Sequence, residues 1–450
     1  MKYYSTNGRA PGVSFREALL LGLAPDGGLY LPESLPALSQ DDLNKLRGLD
    51  YPAMATEILI KYIGDEVDEK DIERLCRDAY NFEVPVNRAK GKKYILRLDQ
   101  GPTASFKDFA ARMMSRLMQH FMKQDNRKLT ILTATSGDTG SAVANAFYGL
   151  DNIKVVILFP KTEVSEIQRK QMTTLQKNIT VVAVDGKFDD CQDMVKRAFR
   201  DPDLAHIPLS SANSINIGRL LPQSVYYIYA WSRATASAKE KVIFSVPSGN
   251  FGNLTAGILA SRMGLPVEKF IISTNENDEV PTFLKTGIYV PVVPSRNCIS
   301  SAMNVGHPSN FARMIALYGG IMNEKGLMLK QPDLQSMFNE LFGVSVSDEE
   351  TLQTIKEVYD KYGIILEPHG AVAWKGITEF LSKSKNNTDT TFIALETAHP
   401  AKFSEEIFKV LKMNPDLPYS LSSVISKEEK YSTIDNNYIS LKQLLQSTTF

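Results

Sequence analysis

The sequence has few cysteines, no excess of either charge and no long hydrophobic run. Its three cysteines, Cys76, Cys191 and Cys298, are too few and too far apart for a disulfide framework or a CxxC metal pair. This pattern fits a reducing compartment, so we expect a cytoplasmic protein. Lys and Arg number 51, as do Asp and Glu, so the formal net charge is zero. No overall positive potential therefore favours nucleic acid as a partner.

Sequence patterns of several other protein classes are also missing. The N-terminus lacks the apolar core of a secretory signal, and no apolar stretch reaches the length that spans a bilayer. We therefore expect neither export nor membrane insertion. No HExxH, CxxC or GxSxG pattern occurs, which leaves zinc sites and hydrolase triads without support. We expect no metal.

Short apolar runs alternate with amphipathic helical segments from about residue 94 onward, after a mainly helical N-terminal segment. Several of these runs are continuously apolar, which is typical of strands covered on both faces. The predicted strands are residues 94–98, 129–132, 155–159, 179–184, 242–246, 270–273 and 391–395. The alternation predicts an α/β fold with mostly parallel sheets flanked by helices.

Lys107 is the most informative residue, because it follows a turn and begins an amphipathic helix. Gly101-Pro102 predicts the turn, and apolar residues at helical spacing between Phe106 and Phe121 predict the helix. A lysine desolvated at the positive end of a helix has a lowered pKa, and a neutral amine can form an imine with a carbonyl cofactor. A solvated surface lysine is the alternative, and it is favoured when this run is considered alone.

Two loops rich in Gly and Ser/Thr join predicted strands to predicted helices. Residues 133–140 precede a predicted helix at 141–147, and residues 247–253 precede one at 254–263. Free N–H groups and the helix dipole at such loops favour an anion, and Gly249 and Gly252 allow a phosphate to approach the backbone closely. An ordinary capped turn explains each loop equally well on its own.

Two further polar features follow. Asn213, Ser214 and Arg219 suit a phosphoryl group, because arginine binds phosphate through two N–H groups. A capped helix start with a solvated arginine is the alternative. Thr397 follows the predicted strand 391–395, and alone it is more simply explained as a strand-end residue before a proline turn. We expect the neighbouring His399 to be structural, with a backbone partner.

Taken together and in this order, these motifs resemble the threonine synthase family of pyridoxal phosphate enzymes, in the fold-type II (tryptophan synthase β-like) group. The resemblance covers about residues 1–410. The runs that carry it are residues 13–18, 27–32, 105–108 (Ser-Phe-Lys-Asp), 135–140 (Thr-Ser-Gly-Asp-Thr-Gly), 248–253 (Ser-Gly-Asn-Phe-Gly-Asn) and 396–400 (Glu-Thr-Ala-His-Pro).

The resemblance implies conversion of O-phospho-L-homoserine and water to L-threonine and phosphate, with pyridoxal 5'-phosphate bound to Lys107. It also implies that Lys107 is the general base. The residues that it places at the cofactor are Lys107, the phosphate-binding Gly249, Asn250, Phe251 and Asn253, and Thr397 at the ring nitrogen. Those that it places at the substrate are Ser136, Gly137 and Thr139 for the carboxylate, and Asn213, Ser214 and Arg219 for the phosphate. Asp138 stands where other fold-type II enzymes often have Asn, which leaves its role open.

Other functions remain as alternatives. A fold-type II serine/threonine dehydratase would share the lysine and the cofactor loop but would need no second phosphate site. A non-catalytic phospho-ligand-binding paralogue is disfavoured by the intact Lys107, and a purely structural α/β protein would leave the four motifs unexplained. Fold-type II also implies a small lobe that interrupts a large one. The expected parts are a helical segment at 1–90, a large lobe at 91–128 and 233–412, a small mobile lobe at 129–232 and a C-terminal tail at 413–450, in a monomer or homodimer.

Overall fold

The computed structural model describes residues 1–384 and 389–448, which contain two mostly parallel sheets flanked by helices. The strands are β1 (Tyr3–Ser5), β2 (Tyr30–Pro32), β3 (Val86–Lys90), β4 (Lys93–Arg97), β5 (Leu129–Ala134), β6 (Ile153–Pro160), β7 (Ile179–Asp185), β8 (Leu209–Ser210), β9 (Val242–Pro247), β10 (Val267–Thr274), β11 (Ile321–Met322), β12 (Met328–Lys330), β13 (Leu341–Ser345), β14 (Thr391–Glu396) and β15 (Ser432–Asp435). This architecture confirms the predicted α/β class.

The helices cover both sheets and form most of the N-terminal segment. They are α1 (Phe15–Leu21), α2 (Gln40–Leu46), α3 (Tyr51–Ile63), α4 (Glu69–Ala79), α5 (Lys107–Asp125), α6 (Asp138–Phe147), α7 (Glu166–Thr173), α8 (Phe188–Ala198), α9 (Ile217–Leu220), α10 (Gln223–Ala234), α11 (Gly252–Met263), α12 (Glu279–Thr286), α13 (Phe311–Leu317), α14 (Leu334–Glu340), α15 (Asp348–Tyr362), α16 (Pro368–Lys383), α17 (Ser404–Leu411), α18 (Tyr419–Ile425) and α19 (Tyr438–Thr448). Among the described residues, no helix combines the length and the apolar character needed to span a bilayer.

The larger sheet has the strand order β13-β10-β9-β14-β4-β3, and the smaller has the order β15-β7-β6-β5-β8. Every neighbouring pair is parallel except β3 with β4. Strands β5, β9 and β14 are buried at every position, as expected for strands with helices on both faces. Because parallel strands end at the same edge of a sheet, the loops after β9 and β14 lie side by side.

The seven predicted strands are all present, but two helix starts were predicted too late. Helix α6 begins at Asp138 rather than at residue 141, and α11 begins at Gly252 rather than at residue 254. In the first loop, Thr135 Oγ1 accepts hydrogen bonds from the amides of Gly137 and Gly140 at 3.0 and 2.8 Å. Because the Thr135 hydroxyl accepts these amide hydrogen bonds in place of a backbone carbonyl, the helix begins earlier than the glycine-rich sequence predicts.

The segment after residue 413, expected as a C-terminal tail, folds back onto the smaller sheet. Strand β15 pairs in parallel with β7. Leu441 and Leu445 of α19 are buried in the same apolar cluster as Leu158 of β6. Ahead of β15, Glu429 forms an ion pair of 2.9 Å with Arg169 of α7. The last described residues therefore belong to the smaller sheet's packing.

Candidate active site

A cavity lies where the ends of β5, β9 and β14 meet the start of α5. Helix α5 is tied to the end of β14, because the Phe106 amide donates to the Thr397 carbonyl at 2.9 Å. The sequence-predicted residues that line the cavity are Lys107, Ser136, Thr139, Asn213, Ser214, Arg219, Gly249, Asn250, Phe251, Asn253 and Thr397. Gly137 lies between two lining residues, Ser136 and Asp138. The structure thus brings together, around one space, Lys107, both glycine-rich loops, the cluster of Asn213, Ser214 and Arg219, and Thr397.

Lys107 is the first residue of α5, and its side chain is only 13% exposed. The alternative of a solvated surface lysine is therefore wrong. Burial is the largest cause of a lowered pKa of the Lys107 amine, and the charges of Lys402 and Arg219 lower it further. The carboxylate of Asp138 acts in the opposite direction, with its Oδ2 atom 3.8 Å from Lys107 Nζ. A desolvated amine of this kind is suited to bond formation with a carbonyl group.

The loop after β9, residues 247–253, lines the cavity. A Cβ atom on Gly249 would lie 2.8 Å from the Ala302 carbonyl oxygen, so no side chain fits there. Phe251 adopts the left-handed region with a φ of 61°, and α11 begins at the next residue. The first N–H groups of a helix have no acceptor within the helix, and they are therefore available to an anion.

Asn253 adds a side chain to this loop. Its Oδ1 atom accepts hydrogen bonds of 2.6 Å from the hydroxyl groups of both Tyr226 and Tyr227. Its Nδ2 atom is buried and has no hydrogen-bond partner within the described part of the chain. A buried donor without a partner is rare, and next to a helix N-terminus it fits an anionic group such as the phosphate of a cofactor.

Arg219 lies in the same cavity with its residue only 3% exposed, so the alternative of a solvated arginine is also wrong. Its Nη1 atom donates to the Ala212 carbonyl at 2.7 Å, whereas Nε has no partner among the described residues. Burial lowers the pKa of the guanidinium to about 10. Among the ion pairs of residues 1–384 and 389–448, none involves Arg219. A buried cation without a carboxylate partner favours a bound anion.

Asn213 and Ser214 connect this cation to the glycine-rich loop. Ser214 Oγ accepts a hydrogen bond of 2.6 Å from Asn250 Nδ2, and Asn213 Oδ1 is buried without a partner in the part of the chain that is described. The fully buried Arg313 holds their backbone, because it donates to the Ser214 and Ile215 carbonyls at 3.0 and 2.7 Å. The two loops are therefore physically joined.

Thr397 is connected to a buried pair of carboxyl groups. Its hydroxyl donates to Glu367 Oε1 at 3.3 Å, and Glu367 also accepts from the backbone amides of His369 and Gly370 at 2.7 and 3.0 Å. Burial, followed by the charge of Glu367, raises the pKa of Glu396 well above its ordinary value.

Sequence reasoning missed Glu367 and Lys402. Lys402 Nζ donates to Asp138 Oδ1 at 2.9 Å, and its side chain is fully buried. Glu367 lies thirty residues before Thr397, and Lys402 follows the last motif by two residues. Neither residue belongs to a sequence motif or a residue spacing that would predict a functional role. His399, in contrast, accepts a hydrogen bond from the Ala401 amide at 3.1 Å, which confirms its predicted backbone partner.

No group of three or more His, Cys, Asp or Glu side chains arranged to hold a metal occurs among the residues that the structure describes. The polar groups around the cavity are instead mainly an amine, backbone amides, side-chain amides, hydroxyls and a guanidinium, beside the Asp138 carboxylate and the imidazoles of His307 and His369. Such donors favour anionic groups and a carbonyl carbon as the partners of this cavity.

Three family models match successive parts of the chain. One described as threonine synthase N terminus matches residues 2–80. One described as pyridoxal-phosphate dependent enzyme matches residues 83–396, which hold all the cavity-lining residues named above except Thr397. One described as threonine synthase, C-terminal, matches residues 370–445.

Whole-chain relatives agree with these matches. Threonine synthase from Escherichia coli (strain K12) is 40% identical over 448 residues, covering 99% of this chain and 100% of the relative. Threonine synthase from Buchnera aphidicola subsp. Acyrthosiphon pisum (strain APS) is 40% identical over 447 residues, covering 99% of each chain. A crystal structure of PLP-bound threonine synthase from Brucella melitensis superposes with a TM-score of 0.92 at 35% identity, covering 99% of each chain.

Proposed function

Because this chain belongs to the threonine synthase family of pyridoxal-phosphate-dependent enzymes, we propose that its cavity converts O-phospho-L-homoserine and water into L-threonine and phosphate. The observation that carries this proposal is the buried Arg219, whose guanidinium forms no ion pair within the described residues. The loop from Gly249 to Asn253 offers donors for one phosphate, that of the cofactor. A second anion site in the same cavity favours a phosphorylated substrate.

The residues present fit pyridoxal phosphate. We assign the cofactor carbonyl to the Lys107 amine, its phosphate to Gly249, Asn250, Phe251 and Asn253, and its ring nitrogen to Thr397. The assignment is supported by the unpartnered Asn253 Nδ2 and by the position of this loop in the cavity lining at the start of α11. When bound, the cofactor supplies an electron sink that makes the substrate's α-proton acidic.

The chain's own residues bind the substrate and move its protons. Lys107 takes the proton from the α-carbon, because desolvation favours its neutral amine. Ser136, Gly137 and Thr139, at the positive end of α6, orient the substrate carboxylate. The cluster of Asn213, Ser214 and Arg219 binds the substrate phosphate and stabilises it as it leaves from the γ-carbon.

The same cluster separates this function from its rivals. A serine or threonine dehydratase would need Lys107 and the cofactor loop but would leave Arg219 buried without an anion. Burial of an unpaired cation destabilises the folded protein, so this arrangement disfavours a dehydratase. A non-catalytic binder of a phosphorylated ligand would retain Arg219 but would have no need of the desolvated Lys107.

We also propose the finer organisation expected from the sequence. Its parts are a helical segment at 1–90, a large lobe at 91–128 and 233–412, a small mobile lobe at 129–232 and a last segment at 413–450, in a cytoplasmic monomer or homodimer. The separate sheets support the two lobes, although β15 links the last segment to the smaller one. The three scattered, unpaired cysteines support a reducing compartment.

The test is incubation of the holoenzyme with O-phospho-L-homoserine, with phosphate and threonine measured together. We expect equal amounts of both products. Arg219→Ala should bind the cofactor normally but lose about ten- to more than a hundredfold in kcat/KM, since a charge-assisted phosphate contact contributes about 1.5–3 kcal/mol. Arg219→Lys should recover part of the loss, because a point charge cannot reproduce two parallel hydrogen bonds.

Two further variants complete the design. Arg262→Ala, which removes a partly exposed arginine paired with Glu340, is the matched control and should behave like the wild type. Lys107→Ala should abolish covalent attachment of the cofactor and nearly all turnover. The proposal is wrong if Arg219→Ala loses the cofactor yet retains wild-type constants for phosphohomoserine after the cofactor is restored, or if borohydride reduction labels a different lysine.

A further inference from the structure

Lys402 is a buried lysine next to the active site, and the proposed reaction does not use it. It lies in the single turn Pro400–Phe403, after β14, and its side chain has no exposed surface. A buried ammonium group is costly unless a carboxylate compensates its charge. Asp138 supplies that carboxylate at 2.9 Å, from the first position of α6. The pair therefore joins the end of β14 to the loop after β5.

Asp138 faces two lysines but bonds to only one of them. Its Oδ1 atom accepts hydrogen bonds of 2.9 Å from both Lys402 Nζ and Gln168 Nε2. Its Oδ2 atom lies 3.8 Å from Lys107 Nζ, which is beyond hydrogen-bond distance. Although burial alone would raise it, Lys402 and Lys107 hold the pKa of Asp138 well below its ordinary value. Asp138 is therefore a carboxylate that is hydrogen-bonded to Lys402 and Gln168 and lies within ion-pair distance, but not hydrogen-bond distance, of Lys107.

This arrangement matters because the Lys107 amine reacts only when it is neutral. The charged groups that face it are the carboxylates of Asp138 and Glu367 and the cations of Lys402 and Arg219. A closer, hydrogen-bonded ion pair between Asp138 and Lys107 would stabilise the protonated amine further than the present 3.8 Å contact does, because opposite charges favour the charged form. Lys402 opposes this in two ways, by its own charge and by its bond to the carboxylate.

We propose that Lys402 is a positioning residue of the active site, which engages Asp138 and so prevents that carboxylate from closing on Lys107 and keeping its amine protonated. The inference rests on the proposed role of Lys107 as the cofactor-bearing amine. It also gives Asp138 a function, because this carboxylate compensates the charge of the buried Lys402.

The titration of Lys107 in the apoenzyme tests this inference without the cofactor. Trace labelling with acetic anhydride over a pH series, with the Lys107 peptide quantified by mass spectrometry, gives the midpoint at which the amine becomes reactive. Lys402→Met should raise that midpoint by about one pH unit, which corresponds to about tenfold slower labelling below it. Asp138→Asn should lower the midpoint. Opposite shifts cannot both come from general damage to the fold.

The double variant Lys402→Met/Asp138→Asn measures the coupling. In the Asp138→Asn background, Lys402→Met should raise the midpoint by less than half as much as it does alone, because no carboxylate is released. Lys402→Arg, which retains the charge, should stay near the wild type, as should the control Lys409→Met on the exposed face of α17.

Two results would overturn the inference. One is a midpoint that stays unchanged or falls in Lys402→Met. The other, which applies even if that variant does not fold, is an Asp138→Asn midpoint that fails to fall. Borohydride mapping of the cofactor-bearing lysine in the wild-type holoenzyme is an independent measurement, so an error in the role of Lys107 would be distinguished from an error in the role of Lys402.

Discussion

Glu396 and Glu367 place two carboxyl groups in the same buried space below Thr397. The Glu367 amide donates to Glu396 Oε1 at 2.9 Å, whereas Glu396 Oε2 has no partner among the described residues. Two adjacent carboxylates cannot both be ionised at low cost in a desolvated site. Burial, followed by the charge of Glu367, raises the pKa of Glu396 well above its ordinary value.

Glu396→Gln is therefore expected to stabilise the protein at neutral and higher pH. The folded-state pKa of Glu396 lies above its unfolded value of about 4.3, so its favourable contribution is complete below that pH and is lost as pH rises through the folded-state pKa. Glutamine does not titrate. The difference in the free energy of unfolding should grow by up to about 1.4 kcal/mol per pH unit across that window.

Urea unfolding of the apoenzymes over a pH series measures this difference. Glu349→Gln, at an exposed position in the first turn of α15, is the control and should leave the pH dependence unchanged. Parallel pH profiles for the wild type and Glu396→Gln would show instead that Glu396 is ionised in the folded protein.

At the residue scale, the sequence predicted which side chains surround the cavity but not what lies behind them. Lys107 and Arg219 were recognised from their motifs, and both are buried as those motifs require. Glu367 and Lys402 were not recognised, because a residue that acts through another needs only a contact in space. Contacts between Lys402 and Asp138, 264 positions apart, leave no local pattern in a single sequence.

At the scale of elements, Gly249 and Gly252 of the β9–α11 loop differ in the space that a side chain would have. A Cβ atom on Gly249 would lie 2.8 Å from backbone atoms of Ala302 and Met303, whereas one on Gly252 would meet its nearest atoms at 3.4 Å. The first is tighter than real contacts allow, and the second is ordinary packing. Gly249, rather than Gly252, is therefore the glycine that the loop geometry requires.

Gly249→Ala should consequently weaken cofactor binding by about tenfold or more, because relief of the overlap costs about 1–3 kcal/mol and moves the loop amides. Gly252→Ala should have a smaller effect. Absorbance titration of the apoenzymes with pyridoxal phosphate gives the Kd, and far-ultraviolet circular dichroism monitors the fold. The control is Gly48→Ala, where the nearest atom to the new Cβ lies at 3.9 Å. Equal affinities in all four proteins would contradict the assignment of this loop.

The strands that are buried at every position could be predicted from the sequence. Strands β5, β9 and β14 have continuous apolar sequences because helices cover both faces. Strand β15, with the sequence Ser-Thr-Ile-Asp, is mostly exposed and lacks such a pattern. It forms a strand because it pairs with the free edge of β7. This tertiary contact cannot be predicted from the β-propensity of its four residues.

For the whole molecule, the last segment should contribute to stability like any other part of the core. Leu441 is fully buried in the apolar cluster of the smaller sheet, whereas Ile439, two residues earlier, is 59% exposed. Leu441→Ala should lower the free energy of unfolding by about 2–5 kcal/mol, through lost burial and a remaining cavity. Ile439→Ala should lower it by less than about 0.5 kcal/mol.

Chemical denaturation of the two variants, followed by circular dichroism, distinguishes these effects. If both alanine variants unfolded at the same denaturant concentration, α19 would not be part of the cooperative unit that contains the smaller sheet.

The pairing of β15 with β7 also determines when the smaller sheet can be finished during translation. Four of its strands leave the ribosome within residues 129–210, but the fifth follows more than two hundred residues later, at 432–435. Until then, β7 presents an apolar edge, and such an edge is a template for pairing with another chain. The nascent chain therefore carries an aggregation-prone strand edge from the synthesis of β7 until that of β15, and this is the interval in which chaperones would protect it.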